Sequence, residues 1–279
     1  MEDIKKINWT EVVIFCVISF ALAWLYWIPY LIKGIEGMKA FPGPYGFSNG
    51  MFAPLIAAVF MRIFISKEGL KGSLGIIRRP KYYLIALFAP IIFTGILLFF
   101  VNLTGQGVFT WAVSYTVPVF VLMLMWKSIQ QIPLGIGEEY GWRGYLLPRL
   151  LPLGEIKATI ILGIIWALWH LPMMVMGLNY PGANVIVSSI IFVVFVIVAS
   201  FPFTWLFRAS TGSVLVVTLM HITLDVFTDV LLSPRFLPGA NQLFVSGAGI
   251  ISTLILTALI ALRYTIFKNA FEKSCESES

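Results

Sequence analysis

The chain has 279 residues, of which 59% are hydrophobic and only 11% are charged, and its mean hydropathy is +0.93. Because soluble domains carry about 25% charged residues, this composition excludes an ordinary soluble protein and predicts a polytopic membrane protein. The net charge of +6 does not indicate a nucleic-acid partner, because the basic residues are placed as membrane topology requires.

Eight stretches are apolar over the ~20 residues that a helix needs to cross a ~30 Å hydrocarbon core. The predicted fold class is therefore all-α, with about eight transmembrane helices in one bundle. The fourth stretch is too long for one straight span, and Pro133 is expected to break or kink it, because proline lacks a backbone donor and clashes with the preceding turn. The predicted spans are 11–33, 48–66, 82–103, 112–147, 157–177, 184–207, 213–232 and 243–267.

Short connections between the spans predict one membrane domain at residues 11–267. A cytoplasmic N-terminus, residues 1–10, is expected to precede it, and an acidic, serine-rich cytoplasmic tail, residues 268–279, is expected to be disordered. The sequence shows no internal repeat, which disfavours an inverted-repeat transporter.

The basic residues predict the orientation of the chain in the membrane. With the N-terminus inside, thirteen of the 19 lysines and arginines fall in inside segments and three in outside loops. Such an excess marks the cytoplasmic side. We therefore predict an integral protein of the plasma (cell) membrane with both termini in the cytoplasm.

Six ionisable residues lie inside the apolar stretches, where a charge costs roughly 2.5–3.5 kcal/mol on insertion scales. Sequences avoid such residues unless a function needs them, so the six indicate an active site or an ion path. They are Glu138, Glu139, His170, His221, Asp225 and Asp229.

The first polar motif combines two glutamates and an arginine. Glu139 and Arg143 are four residues apart, so they share a helix face and are expected to pair. Glu138 then points about 100° away and keeps no obvious local partner, which suits a general acid or base. The alternative is a purely structural ion pair that joins two helices.

The other two motifs contain the histidines. Trp166 and His170 share one helix face, and Pro172 is expected to loosen the helix just after them. His221, Asp225 and Asp229 form one stripe, in which Asp229 is expected at the outer edge of the cavity or near the membrane interface. The alternative to a catalytic role is a structural one. His170 would then only form a hydrogen bond to a neighbouring helix, and a carboxylate would only orient His221.

Depth in the membrane connects the three motifs. At 1.5 Å per residue from the nearest basic residue, Glu138 lies ~16 Å deep, His170 and His221 ~20 Å, and Asp225 ~25 Å. Three helices can therefore bring these four side chains together, in an intramembrane cavity that we expect to open toward the cytoplasm.

Together, these motifs resemble the CPBP family, which comprises CAAX proteases of the Rce1 type and bacteriocin-processing enzymes. The resemblance covers about residues 115–230, with the order and spacing of all three motifs. It implies an intramembrane endopeptidase in which Glu138 and His170 activate a water molecule, His221 and Asp225 face the oxyanion, and Glu139 with Arg143 supports the site. The family often has Asn where this chain has Asp225, and an ionised Asp cannot donate to an oxyanion. Asp225 is therefore either protonated, or it orients His221, which then donates alone.

Several alternatives remain open at the level of sequence. We favour metal-free catalysis without a cofactor, but Glu138, His170, His221 and Asp225 are also acceptable zinc ligands. A non-catalytic immunity or scaffold protein on the same fold and a proton-coupled transporter are the other functions considered. The expected partners are the lipid bilayer and a membrane-associated peptide or lipidated protein, including prenylated C-termini; no nucleic acid is expected.

Overall fold

The structure is a computed structural model that describes residues 7–39, 46–77, 79–111, 115–177, 180 and 183–277. Every regular element in this part of the chain is helical. Seven helical segments are long and apolar enough to cross a membrane, and the protein is therefore an integral membrane protein. These segments are Trp9–Lys33, Gly46–Ile65, Pro80–Leu103, Val117–Leu153, Val185–Ala209, Val214–Leu231 and Gln242–Ile266.

The α-helices are numbered in chain order. A 3₁₀ turn, Gly46–Phe52, precedes α2, and π-helical turns follow α2 at Met61–Ile65 and α4 at Trp142–Leu146. The α-helices are α1 (Trp9–Lys39), α2 (Ala53–Phe60), α3 (Pro80–Leu103), α4 (Val117–Gly141), α5 (Leu147–Leu150), α6 (Glu155–Trp169), α7 (Leu171–Val175), α8 (Val185–Ala209), α9 (Val214–Leu231), α10 (Gln242–Val245) and α11 (Ile250–Ser277).

One expectation about the fourth span is wrong and the last span agrees with its prediction. Pro133 does not break the fourth span, because α4 continues through it to Gly141 and the irregular π turn comes afterwards. The last spanning segment ends at Ile266, next to the predicted end at residue 267, and its helix continues to Ser277.

The predicted span 157–177 is divided at His170, so it is not among the seven long segments. Pro172 explains the division, because its missing N–H leaves the carbonyl of Leu168 without a helical partner and its ring clashes there. The expectation that this proline loosens the helix is confirmed. His170 lies at the break, between α6 and the short α7.

Helix α9 lies at the centre of the arrangement, packed against α3 and α4, while α6 packs against α8. Glycines allow α4 to approach the start of α2 closely. A Cβ on Gly137 would lie 2.7 Å from the carbonyl oxygen of Met51, and a Cβ on Gly141 would lie 2.4 Å from Cβ of Pro54. This close approach holds the segment that carries the two glutamates.

Polar contacts join several helix ends at one end of the bundle, which we call the basic end. Arg149 pairs there with Glu11 at the start of α1, at 2.8 Å. Glu155 at the start of α6 pairs with Arg208 at the end of α8 and lies 3.9 Å from Arg263 of α11. The basic end therefore gathers Arg149, Arg208 and Arg263.

The opposite end, which we call the far end, is held by bonds between other helix termini. The indole of Trp27 donates to the carbonyl of Phe47 at 3.0 Å, close to where the second spanning segment begins. The hydroxyl of Tyr180 donates to the carbonyl of Ala248 at 2.5 Å, before α11 begins. Each long helix thus has one end among the basic residues and one end remote from them.

Candidate active site

A cavity of about 410 Å³ lies between the helices and brings together side chains from all three predicted motifs. Glu138, His170, His221 and Asp225 all line it, so the expectation that they meet is confirmed. Asp229 also lines the cavity, although its side chain is exposed. The polar lining further includes Gln131, Thr228 and Ser246, and the apolar lining includes Trp166, Phe192, Phe195, Val196, Ala199 and Phe203.

Glu138 is buried, with 2% of its surface exposed, and its side-chain partner is neutral. The indole Nε1–H of Trp166 donates to Oε2 of Glu138 at 2.8 Å. A single neutral donor orients the carboxylate without neutralising it. The carboxylate therefore stays available to accept a proton inside the cavity.

His170 is held by the same tryptophan. Its Nδ1–H donates to the carbonyl oxygen of Trp166 at 2.8 Å, which places the proton on Nδ1. Nε2 is then the unprotonated nitrogen. The ring packs edge-on against Trp169 and Phe192, with centroids 4.7 and 5.2 Å away, so its orientation is fixed.

The predicted pair between Glu139 and Arg143 is present at 2.8 Å, and both side chains are fully buried. The same Oε1 atom of Glu139 also accepts a hydrogen bond from Nδ1 of His221 at 2.7 Å. The guanidinium of Arg143 lies over the rings of Trp166 and Phe203, at 4.3 and 4.5 Å. These contacts hold the ion pair directly behind the cavity lining.

Asp225 lies on the other side of the His221 ring. Its Oδ2 is 3.3 Å from Nε2 of His221, and 39% of its side chain is exposed. Each nitrogen of His221 therefore faces a carboxylate, Glu139 at Nδ1 and Asp225 at Nε2. An imidazole in this position is poised to carry two protons.

The residues considered as a zinc set are not arranged as one. Within the described ranges, no group of three or more His, Cys, Asp and Glu side chains is placed to hold a metal ion. Nε2 of His221, which would have to bind the metal ion, faces Oδ2 of Asp225 at 3.3 Å instead. The present donor geometry does not fit a zinc ion.

Two parts of the site were not predicted from the sequence. The sequence predicts only that Trp166 shares a helix face with His170, and the bond of its indole to Glu138 is visible only in the structure. The bond between Glu139 and His221 was missed because it joins residues 82 positions apart. No spacing rule connects such positions, although the presence of two buried acids with one nearby arginine was a signal that a second cation was needed.

Residues 119–227 match the family model of type II CAAX prenyl endopeptidases, described as Rce1-like. The protein named CAAX prenyl protease 2 of Methanococcus maripaludis is 25% identical over 130 residues. That match covers 45% of this chain and 45% of the archaeal protein, so the chain spans about half the length of this relative. Residues 119–227 are therefore similar to the Rce1-like CAAX prenyl endopeptidases, and the match confirms the resemblance to this family that the three motifs predicted.

Proposed function

We propose that the protein is an intramembrane endopeptidase that hydrolyses a peptide bond of a membrane-associated peptide or protein. The observation that carries this proposal is the position of Glu138. Its carboxylate is buried at the cavity with a neutral indole as partner, and His170 and His221 line the same cavity. A base, an aligned acceptor and a donor for developing negative charge are the groups that hydrolysis of an amide requires.

In the proposed reaction, a water molecule is held between Glu138 and Nε2 of His170. Glu138 removes one proton as the water oxygen attacks the carbonyl carbon, and the carbonyl oxygen becomes an oxyanion. The C–N bond then breaks, and Glu138 returns the proton to the leaving nitrogen. The products are an amine and a carboxylic acid, which exchange a proton to leave as an ammonium and a carboxylate, and the glutamate recovers its starting charge.

His221 is proposed to face the oxyanion. Glu139 holds Nδ1–H, so a second proton on Nε2 points to the side of Asp225 and the cavity. As the oxyanion forms, the Nε2–H group exchanges its acceptor, so that its hydrogen bond goes to the oxyanion in place of Asp225. A preorganised donor of this kind contributes strongly to catalysis of acyl transfer. In this assignment Asp225 holds the donor and does not itself donate, while Glu139 and Arg143 support the site from behind.

The substrate is proposed from the family and from the lining of the cavity. The family description and the name of the archaeal relative refer to prenylated CAAX proteins. Phe192, Phe195, Val196 and Ala199 form an apolar wall on α8, which is able to accept an apolar side chain or a lipid. A bacteriocin-type leader or signalling peptide is the alternative substrate of the same chemistry.

The location is proposed from the charge distribution. The excess of lysine and arginine on one side supports a topology with both termini in the cytoplasm, and we propose the plasma membrane as the host bilayer. The opening of the cavity toward the cytoplasm, which the sequence led us to expect, stays a prediction.

Quantitative profiling of peptide termini tests the proposal. Cells expressing the wild-type chain are compared with cells expressing Glu138→Gln at matched protein levels. Glu68→Gln is the control, because Glu68 is 42% exposed and pairs with Arg62 and Arg149 outside the cavity. We expect new termini with the wild type and the control, and none with Glu138→Gln.

Identical profiles in all three strains, with a phenotype that survives Glu138→Gln, would instead support a binding or immunity role on the same fold. A zinc-dependent reaction makes a different prediction, since a chelator would stop cleavage and added zinc would restore it. We expect the cleavage rate of the purified protein to be unchanged by chelation.

A further inference from the structure

Another cavity lies at the basic end, apart from the candidate active site. Its volume of about 600 Å³ is within the range of ~300–1,000 Å³ that is usual for small-molecule sites. Its walls are α2, α4 and the connection 66–79, which joins the π turn after α2 to the start of α3. The lining residues of this cavity and of the one at Glu138 do not overlap. We call it the basic-end groove.

Two apolar stripes line the groove along the helices. Leu55 and Val59 are one turn apart on α2, and Ile136 and Tyr140 are one turn apart on α4, so each pair lies on one face of its helix. The two helices are packed side by side. Ile76 of the connection, which is 72% exposed, extends the apolar lining. The groove therefore offers an elongated apolar surface that runs from the basic end toward the middle of the bundle.

The connection forms a fixed wall of the groove. The hydroxyls of Ser73 and Tyr140 share a hydrogen bond of 2.8 Å, and the first amide of α9 donates to the carbonyl of Leu74 at 3.0 Å. Gly75 has a φ of +59°, and a Cβ there would lie 2.3 Å from the carbonyl oxygen of Gly212. Because several bonds hold this segment against α4 and α9, the groove is part of the packed structure.

Basic residues lie beside the groove. The connection contains four lysines and arginines and a single acid. That acid, Glu68, already pairs with Arg62 and Arg149, at 2.8 and 2.5 Å. Lys71 is exposed, and both of its neighbours in the chain line the groove; Lys67 is exposed as well. An anion at this end of the groove therefore meets positive charge that the acid of the connection does not neutralise.

From these observations we infer that the basic-end groove binds an anionic phospholipid of the adjoining leaflet. An acyl chain lies along the stripes of α2 and α4, and the phosphate lies beside Lys67 and Lys71. Basic residues next to a membrane helix attract anionic lipids, whereas a lipid without net charge gains nothing from them. This lipid site is separate from Glu138 and does not depend on proteolysis.

Lipid titration of the full-length protein in detergent micelles, followed by native mass spectrometry, measures binding. Dioleoyl phosphatidylglycerol is the anionic probe, and dioleoyl phosphatidylcholine has the same chains without net charge. Glycerophosphoglycerol supplies the anionic headgroup without chains. We expect phosphatidylglycerol to bind about 25-fold more tightly than phosphatidylcholine, since two nearby lysines contribute about fivefold each. We expect no binding of the headgroup alone.

Substitutions of exposed lysines test the position of the phosphate. Lys71→Gln is expected to weaken binding of phosphatidylglycerol about fivefold and to leave binding of phosphatidylcholine unchanged. Lys67→Gln combined with Lys71→Gln should remove the preference for the anionic lipid. Lys157→Gln is the matched control, because it removes an equal, exposed charge at the start of α6, outside the groove. It should leave both affinities unchanged.

Three results would overturn the inference. Equal affinity for the two phospholipids would show that charge plays no part in binding. Equal losses in Lys71→Gln and Lys157→Gln would show unspecific attraction to the whole basic end. Displacement of phosphatidylglycerol by the neutral N-acetyl farnesylcysteine methyl ester would assign the groove to a prenyl group instead. The titration is repeated with Glu138→Gln, which should bind lipid like the wild type whether or not the protein cleaves peptides.

Discussion

The carboxylate of Glu139 lies 2.7 Å from Nδ1 of His221 and connects two motifs that are 82 residues apart. The same oxygen pairs with Arg143, so one buried acid orients both a buried cation and an imidazole of the cavity wall. A buried carboxylate is stable only when hydrogen-bond or charged partners satisfy it. The burial of Glu139 and the orientation of His221 therefore depend on the same contact.

Trp166 is expected to position Glu138 through its indole N–H. Trp166→Phe removes the donor and keeps an aromatic ring against Arg143. A hydrogen bond to a charged group contributes about 1.5–3 kcal/mol, so we expect kcat for peptide cleavage to fall by about 10–100-fold. Steady-state kinetics of the purified protein, on a substrate identified by termini profiling, measure the change.

The control for this substitution is Trp205→Phe. Trp205 also donates from its indole to a glutamate, Glu155, at 3.0 Å, but at the basic end and away from the cavity. It should leave kcat unchanged. Equal kinetic losses in the two variants would show that general destabilisation, and not the bond to Glu138, explains the effect.

Asp225 is expected to tolerate asparagine. An amide at position 225 keeps an oxygen near Nε2 of His221 and removes a negative charge from the region where the oxyanion is proposed to form. We expect Asp225→Asn to cleave at least as fast as the wild type, and Asp225→Ala to be slower because His221 loses its partner. A loss in Asp225→Asn as large as that in Glu138→Gln would assign an essential role to the charge of Asp225.

The buried pair of Glu139 and Arg143 is expected to stabilise the fold strongly once formed. Glu139→Gln leaves the Arg143 guanidinium buried without its counter-charge, which typically costs about 3–5 kcal/mol. Equilibrium unfolding in mixed micelles with increasing SDS measures the free energy. Glu68→Gln breaks an exposed pair and should cost less than about 1 kcal/mol. Similar losses in both variants would contradict this assignment.

The close approach of α4 to the start of α2 is expected to require glycine at position 141. The methyl group of Gly141→Ala would lie 2.4 Å from Cβ of Pro54, so the helices must separate. Overpacking of this kind costs about 1–3 kcal/mol and should lower the unfolding midpoint. Gly95→Ala is the matched control, because no atom lies within 4 Å of its added methyl group. A midpoint unchanged in Gly141→Ala would show that this contact adapts freely.

The local patterns of the sequence predicted much of the fold. The lengths of the apolar stretches gave six of the seven long spans with little shift, because a bilayer imposes a narrow length on an uninterrupted helix. The fourth span continued through Pro133, since a proline inside a long packed helix is tolerated where neighbouring helices hold it. Pro172, close to the end of α6, did divide its span.

The sequence by itself determined the class of the protein, the spacing of the three motifs and the pairing of Glu139 with Arg143, because composition and helical periodicity are local properties. Only the tertiary structure decided that Trp166 binds Glu138, that Glu139 binds His221, and that the cavity extends toward the far end. These features depend on which faces of separate helices meet. That choice is made by packing between residues far apart in the chain, and no spacing along one helix encodes it.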